Sequence, residues 1–578
     1  MTKYMIQQLQ QKLQEIVKKL TNQRVDIQLA IPKDISKGDF TTNVSFQLSK
    51  ILHKSPLEVA QAIVSEFGNY EGINYVEPAS PGFINFYLSK EYLNSYLTEV
   101  LQNQNRNVLT RSMDNKKMMV EFAHPNTHKE LHIGHMRTLT TGESLARLFA
   151  ANGATVFRAN YQGDIGPHVA KAIYGITKMM QEEGLRLEEI EQWPHAKKAH
   201  FLGQGYARGS KDYEEGAKEE IDQLNVSLYQ RDPKYQDIYQ TTRQWSLDYY
   251  DEFYKRFYTK FDRFFFEGDL DKEAVRIVTA HVGDVFTKDA DGSIIFQGEK
   301  YGLHTRVFIT QKGTPTYEGK EVALGFAEHA AFPFDLKIHV VASEQTGYFQ
   351  VVFKALELID PKIFEGHEYH LPMGMVQLVG RKMSSRTGDV LTVDELLDRV
   401  KEAAAAEFAE GKLSEEEKET VLEQVTIGAV KYSILKGGVT QNATFDIEKS
   451  VSLNGNSGPY VQYAYARTQS ILAKAGSSAF QARLSGDYTP LEEEQVLMRK
   501  LVQFPEIVAD AAKEYAPNMV CDYLFAVSQL FNNFYQKYRI VNAATEEEKA
   551  FRLLLTAGVG VILKQGLGLL GIQAPQKM

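Results

Sequence analysis

His132 and His135 stand three residues apart in AHPNTHKELHIGH, a stretch that follows the apolar run KKMMVEF and leads into GHMRTLTTGESLARLFAANG. That spacing places two side chains on one face of a helix's first turn. Imidazoles there can donate hydrogen bonds to phosphate oxygens that gain negative charge, beside the positive end of the helix dipole. Gly134 between them carries no side chain, so a base or ribose can approach the backbone. The pattern suits a nucleoside triphosphate losing pyrophosphate, with no covalent enzyme intermediate. An isolated histidine pair is more often a helix cap or a part-buried structural feature. Zinc is a weaker alternative, since HxxH lacks the HExxH pattern and no cysteine is near. No GxGxxG or GxxxxGK[ST] lies near an expected strand, which counts against a dinucleotide enzyme and a P-loop ATPase.

A second cluster, GRKMSSRTGD, spans residues 380–389 and carries Lys382, Met383, Ser384 and Ser385. A basic loop flanked by glycines can wrap a polyphosphate and move during reaction. Alone it would be a solvated surface loop more often than not; its pairing with the histidine turn points to chemistry.

The elements that must position these groups can be read from periodicity. KKMMVEF reads as a buried strand, the following run as a helix closed by Gly153, and TVFRANY as a second strand. That is a βαβ unit, so a parallel sheet is expected, with ligands beyond the carboxyl ends of its strands. From about 171 to 262 the chain is charged, tyrosine-rich and helical in pattern, without a readable motif. Strand-like SIIFQG, HTRVFIT and KIHVVAS then follow, predicting a parallel sheet interrupted by an insertion at about 171–290. From VDELLDRVKEAAAAEFAEG onward nearly every periodic stretch is helical, and NQNRNVLTRSMDNKK marks an earlier polar boundary. The expected units are 1–110, 111–400 and 401–578, in keeping with the about three or four domains that such a length suggests.

Composition narrows the class. The 578 residues are 43% hydrophobic and 24% charged, as in ordinary globular chains. Cys521 is the single cysteine, which excludes an intrachain disulfide and a thiolate-rich zinc site and makes a cytosolic location the expectation. A net charge of −9 argues against coating nucleic acid through bulk charge, while leaving a local basic face open. The opening MTKYMIQQLQQKLQEIVKKL has helical spacing and no signal-peptide pattern. LLLTAGVGVILKQGLGLLGI is interrupted by Lys564, Gln565 and glycines, so a buried helix is expected rather than a membrane span.

HIGH at 132–135 after a strand, with KMSSR at 382–386 about 250 residues later, resembles the two signature motifs of class I aminoacyl-tRNA synthetases. A more detailed resemblance, over nearly the whole chain, is to arginyl-tRNA synthetases. It rests on VEFAHPNTHKELHIGHMRT, on GNSGPYVQYAYAR at 455–467, on LFNNFYQKYRIV and the ending LLGIQAPQKM, and on GDFTTNVSFQLSK and PGFINFYL in the opening segment. The resemblance implies a Rossmann-like parallel-sheet catalytic domain with an insertion. It adds a small α+β N-terminal domain that meets the tRNA corner and an all-α C-terminal anticodon-binding domain, with a stem-contacting linker to about 450.

It also implies residue roles. Glu121 would face the guanidinium of arginine, with Tyr317, Glu321 and His132 in the same pocket, and Asn126 and Gln345 would hold the α-amino end or the adjoining nucleotide. Pro125, His132, Gly134, His135, Gln345, Lys382 and Met383 would hold ATP. His132, Gly134, His135, Lys129, Lys382, Ser384 and Ser385 would form the catalytic set. Phe83 and Asn85 would meet the dihydrouridine-loop corner of tRNA, and Tyr460, Gln462, Tyr463 and Arg467 the anticodon side, by stacking and edge contacts. The reaction implied is attack of the arginine carboxylate on the α-phosphorus of MgATP, awaiting bound tRNA, then transfer to the terminal ribose of tRNA(Arg). Magnesium would arrive with ATP, no structural zinc or membrane is implied, and a monomer is expected.

The chain departs from that family's pattern at four places. Glu321 replaces an aspartate, Ala123 and His124 replace two serines, and Ser385 replaces the lysine of KMSKS. Lys129 is expected to supply the missing charge. Among alternatives, a cysteinyl synthetase would need cysteine zinc ligands, a simple nucleotidyltransferase would leave the helical C-terminus without a role, and a dead paralogue should show eroded motifs.

Overall fold

Met118, Met119 and Val120 are buried in the strand Lys117–Glu121, the middle of a five-stranded sheet in the computed structural model. The structure describes residues 5–32, 34–102, 109–379, 391–407, 414–476 and 488–578. All five strands are parallel, in the spatial order Glu368–Met373, Leu336–Ala342, Lys117–Glu121, Thr155–Gln162, Arg263–Phe266. Counted along the chain that is 5-4-1-2-3, so the order reverses at Lys117–Glu121 and opens a crevice beyond its carboxyl end. The helix Ile133–Ala151 follows directly and is buried along most of its length.

The stretch after Thr155–Gln162 is helical: Pro167–Glu183, His195–Asp212, Lys218–Tyr229 and Pro233–Arg256. The first two pack backbone to backbone, because a Cβ on Gly175 would lie 2.0 Å from the Gly205 carbonyl oxygen. Two expectations need correction. Arg263–Phe266 falls inside the stretch expected as insertion, yet it is the edge strand of the central sheet, paired with Ala159–Gln162. SIIFQG and HTRVFIT do not join that sheet; Ile294–Phe296 and Arg306–Ile309 form a separate antiparallel sheet with Thr287–Lys288. The link between them is too short for the crossover that parallel strands require.

The opening segment packs the helices Met5–Thr21, Val44–Leu52 and Pro56–Phe67 on a four-stranded antiparallel sheet ending in Ile73–Ala79 and Phe83–Leu88. Its next helix, Lys90–Gln102, packs instead on Glu492–Val502 and Glu546–Leu569 of the all-helical C-terminal part. Among the described residues Glu546–Leu569 alone is long and apolar enough to cross a membrane, and 78% of that apolar window is buried inside the protein. One hydrophobic cluster runs from Leu9 through Val120 to Leu567 and so joins all three parts.

Candidate active site

The turn at the carboxyl end of Lys117–Glu121 holds unusual backbone: Ala123, His124 and His128 have φ of 80°, 52° and 63°. Residues with side chains rarely occupy this region unless the surroundings enforce it. At His128 and its neighbours the helix Pro233–Arg256 supplies that support, while the Ala123 carbonyl accepts from Thr138 Oγ1 at 3.2 Å. Tyr250 Oη donates to the carbonyls of Asn126 (2.7 Å) and Lys129 (2.9 Å), and Ser246 Oγ accepts from His128 N–H at 2.9 Å. Buried His128 is also bound to Thr242 Oγ1 at 2.8 Å, and its burial lowers its pKa to about 3. The insertion therefore clamps the histidine turn, a role its sequence did not advertise.

His132 is the N-cap of Ile133–Ala151. Its Nδ1 accepts from Gly134 N–H at 3.1 Å, while His135 Nδ1 accepts from His132 N–H at 3.2 Å, and the rings stack 3.9 Å apart. A backbone N–H only donates, so each Nδ1 is unprotonated and each neutral ring carries its proton on Nε2. Burial, with the Lys129 charge adding to it, lowers the pKa of His132; burial and then His132 hold His135 well below the usual value. The pair thus caps the helix and keeps two Nε2–H donors. A Cβ on Gly134 would lie 2.9 Å from His132 Cε1, so the missing side chain also makes room for that imidazole. Lys129 Nζ rests 4.3 Å from the Tyr206 ring centroid.

Behind the turn lies a buried set of charges. Glu121, at the strand's end and 1% exposed, meets Lys337 Nζ at 2.9 Å, His339 Nδ1 at 3.4 Å and His124 Nδ1 at 3.5 Å. Lys337 also pairs with Glu328, and His339 Nε2 binds Glu368 at 2.6 Å. Glu321, on Tyr317–Ala331, lies 3.9 Å from His339 Nδ1 and accepts from Tyr348 Oη at 3.4 Å; its Oε1 has no hydrogen-bond partner among the described residues. The buried hydroxyl of Tyr161 likewise has none there. Burial opposes charge on Glu121, but Lys337 and then His339 overcome it and hold the carboxyl well below its usual range. Burial and then Glu121 push Glu321 up to about 7. His339 rises to about 9 because Glu121 and Glu368 outweigh burial and Lys337. Burial and then Glu121 also push Glu328 well above its usual range, so of four carboxyl groups around one ammonium and one such imidazole two resist ionising, and a further cation would favour their charged forms. Glu121, Glu321 and His339 are spaced to hold a metal ion, their donor atoms within 4.8 Å of one another. The Lys337 ammonium on Glu121 opposes a metal and leaves an organic cation as the better fit.

The remaining expected residues frame this pocket. Asn126 is exposed and bridges to Gly163 beyond the neighbouring strand, with Oδ1 packed against it. Tyr317 opens its helix at 58% exposure, one turn before Glu321. Gln345 is exposed in the turn after Leu336–Ala342, and Pro125 is buried. Lys382, Met383, Ser384 and Ser385 lie outside the described residues. The chain just beyond them returns to the histidine turn: Thr392 pairs with His132 and Val393 N–H donates to Leu131 O at 2.9 Å. Just before them, Met375 O accepts from Arg137 at 2.9 Å, and the same guanidinium binds the carbonyls of Val439 and Gln441 at 3.0 and 2.7 Å.

Residues 96–447 match the family model for the class I (R) tRNA synthetase catalytic domain, 4–88 that for the arginyl tRNA synthetase N terminal domain, and 461–578 that for the DALR anticodon binding domain. The chain is 30% identical to the arginine–tRNA ligase of Porphyromonas gingivalis, across 96% of both, and 28% identical to that of Bacteroides thetaiotaomicron with the same coverage. The chain belongs to the arginyl-tRNA synthetase family. The fold of the Thermus thermophilus arginyl-tRNA synthetase matches with a TM-score of 0.83 at 25% identity, covering 99% of this chain and 100% of that one. The Plasmodium falciparum structure shares the fold with a TM-score of 0.80 at 20% identity, covering 100% of this chain and 99% of that one.

In this synthetase the residues expected to meet tRNA divide by exposure. Phe83 is 38% exposed and packs edge-on against Phe46, 5.4 Å away. Asn85, on the same strand face, is buried, with Oδ1 accepting from Thr41 Oγ1 at 2.9 Å. Tyr460, Tyr463 and Arg467 form a cluster with Asn532 and exposed Tyr535: the Arg467 guanidinium lies 4.7 and 5.0 Å from the Tyr463 and Tyr535 rings, and Asn532 bridges it to Tyr460. Gln462 must be withdrawn from that surface. It is fully buried and its Nε2 donates to the carbonyls of Gln424 and Gln573, tying helices together. Sequence reasoning missed Lys337, His339, Glu328, Glu368, Tyr161 and Tyr348. The signal was there, since two charged residues in KIHVVA contradict an all-apolar buried strand.

Proposed function

We infer that the chain activates L-arginine with MgATP and transfers it to the terminal ribose of tRNA(Arg). The observation that carries this reading is the buried acid pocket opening beside two neutral imidazoles at the sheet's reversal point. A guanidinium supplies a further cation and a planar fork that two carboxylates can share. Glu121 and Glu321 would bind that fork, with Tyr317 over it and Asn126 and Gln345 at the α-amino end. The arginine carboxylate then attacks the α-phosphorus while His132 and His135 donate from Nε2 to phosphate oxygens. Neutral donors held by backbone bonds need no reorganisation as charge develops there. Lys382 would close over the pyrophosphate with Ser384 and Ser385, and Lys129 would add the charge that Ser385 lacks. Phe83 and the Tyr460, Tyr463 and Arg467 cluster are the RNA-facing groups that exposure supports best.

Charging total tRNA with each of the twenty amino acids tests the reading: arginine alone should be esterified, and charging with any other instead would sink it. ATP–pyrophosphate exchange should be weak in tRNA-free enzyme and rise when tRNA(Arg) is added. Lys129→Ala should slow single-turnover aminoacylation by more than about threefold, equivalent to over ~0.6 kcal/mol of barrier. A monomer in a reducing cytosol is part of the same reading, consistent with a lone buried Cys521.

A further inference from the structure

We propose that His339 is a positioning residue for arginine selection: pinned from behind by Glu368, its imidazole stands between Glu121 and Glu321 and holds the two carboxylates at a separation that a guanidinium can bridge. The inference rests on the arginine reading above and deepens it. His339 sits directly opposite Glu121 on the neighbouring strand and is 1% exposed. Its Nε2 is fixed on Glu368 at 2.6 Å, and Phe349 and Phe353 lie against the ring with centroids 4.9 and 5.0 Å away. With one nitrogen tethered and the ring packed, Nδ1 has a set direction. It faces Glu121 Oε2 at 3.4 Å and Glu321 Oε1 at 3.9 Å.

The geometry solves a problem that two adjacent acids create. Carboxylates this close, in a buried site, repel, and one of them takes up a proton unless a positive group intervenes. A protonated Glu321 would offer a donor where the guanidinium needs an acceptor. The Lys337 ammonium pairs directly with Glu121 and Glu328 and acts on Glu321 only through its field, without a direct contact. His339 alone reaches both carboxylates among the described side chains that pair with either. Glu321, one methylene longer than aspartate, accepts from Tyr348 Oη on one oxygen and faces the imidazole at 3.9 Å with the other, close enough for attraction but without a hydrogen bond.

The test is steady-state ATP–pyrophosphate exchange in the full chain with tRNA(Arg) present, comparing wild type with His339→Gln. The expected result is a rise of about tenfold or more in KM for arginine, with kcat within about threefold and KM for ATP within about twofold. Selectivity for arginine over its uncharged isostere citrulline should fall by a similar factor. Should His339→Gln fail to fold, Glu368→Gln, which exchanges a charged acceptor for a weaker neutral one on the tether, should raise the arginine KM by about threefold and leave the ATP KM unchanged. An unchanged arginine KM in the variant that folds, or arginine and ATP KM rising together, would overturn the proposal. Wild-type enzyme that charges tRNA with another amino acid would overturn the arginine reading itself, a result the same preparation registers before any variant is made.

Discussion

The two histidines of the turn hold the backbone with Nδ1 and leave Nε2 for the proposed phosphate contacts, which makes the two jobs separable. Asparagine is as good an N-cap as any residue, and it can accept a backbone N–H in place of His132 Nδ1, but it offers nothing where Nε2–H stood. His132→Asn should therefore keep stability within about 0.5 kcal/mol by urea denaturation and cut the single-turnover rate by about 10²-fold, the usual loss of one charge-stabilising donor. The acid pocket makes a pH prediction. Glu321 sits near pH 7 in the fold against an ordinary value of 4.5. Its carboxyl is protonated below that point and cannot accept the guanidinium, so KM for arginine should fall as pH rises through about 7. The linkage has the opposite sign for stability. A raised carboxyl favours the fold below the unfolded value and loses that contribution as pH climbs to 7, so Glu321→Gln should raise the melting temperature more at pH 8 than at pH 5. At this scale Glu121, His132 and His135 were legible because motif and strand end coincide in one short stretch. His339, Lys337, Glu328 and Glu368 were not, because they come from separate elements and each alone resembles an ordinary polar residue.

Elements reveal what the long helical insertion contributes. Pro233–Arg256 lays Thr242, Ser246 and Tyr250 along one face, spaced four apart, and all three bind the turn that carries Lys129 and leads to His132. Tyr250→Phe removes one donor shared by two carbonyls. It should lower stability by about 1–2 kcal/mol in a denaturant titration, and raise KM for ATP, because the turn loses the contacts that enforce its left-handed backbone. The helical pattern of this segment was readable, as was the βαβ unit. Strand partners were not, since SIIFQG, HTRVFIT and KIHVVAS look alike as short apolar runs, and only the length of chain between them separates a hairpin from a crossover. Gln462 shows a related limit: its sequence does not say that its face is covered by the helix Glu415–Leu435 and by Gln573 in the chain that follows Glu546–Leu569.

At the scale of the molecule, three parts of different ancestry in pattern share one interior. The cluster through Leu9, Val120 and Leu567 has no seam where water could enter first. Scanning calorimetry should accordingly record one cooperative transition and not three, and two or more resolved peaks would show that the parts open independently. The order of the parts along the chain was legible from composition and motif, but their mutual burial was not, because an apolar helix face does not say which neighbour covers it.

The helix Ile133–Ala151 is gripped in its C-terminal half by the end of the helix Glu546–Leu569: Ser144 Oγ donates to Leu569 O at 3.1 Å and Arg147 to Gly568 O at 2.9 Å. Nineteen residues make a rod about 28 Å long, with the His132 and His135 rings at its N-terminal end and the final helix against its C-terminal half. Arg137 near the other end is held as well, by the carbonyls of Met375, Val439 and Gln441, so the helix is braced at both ends and a shift of the C-terminal part would move it as one piece.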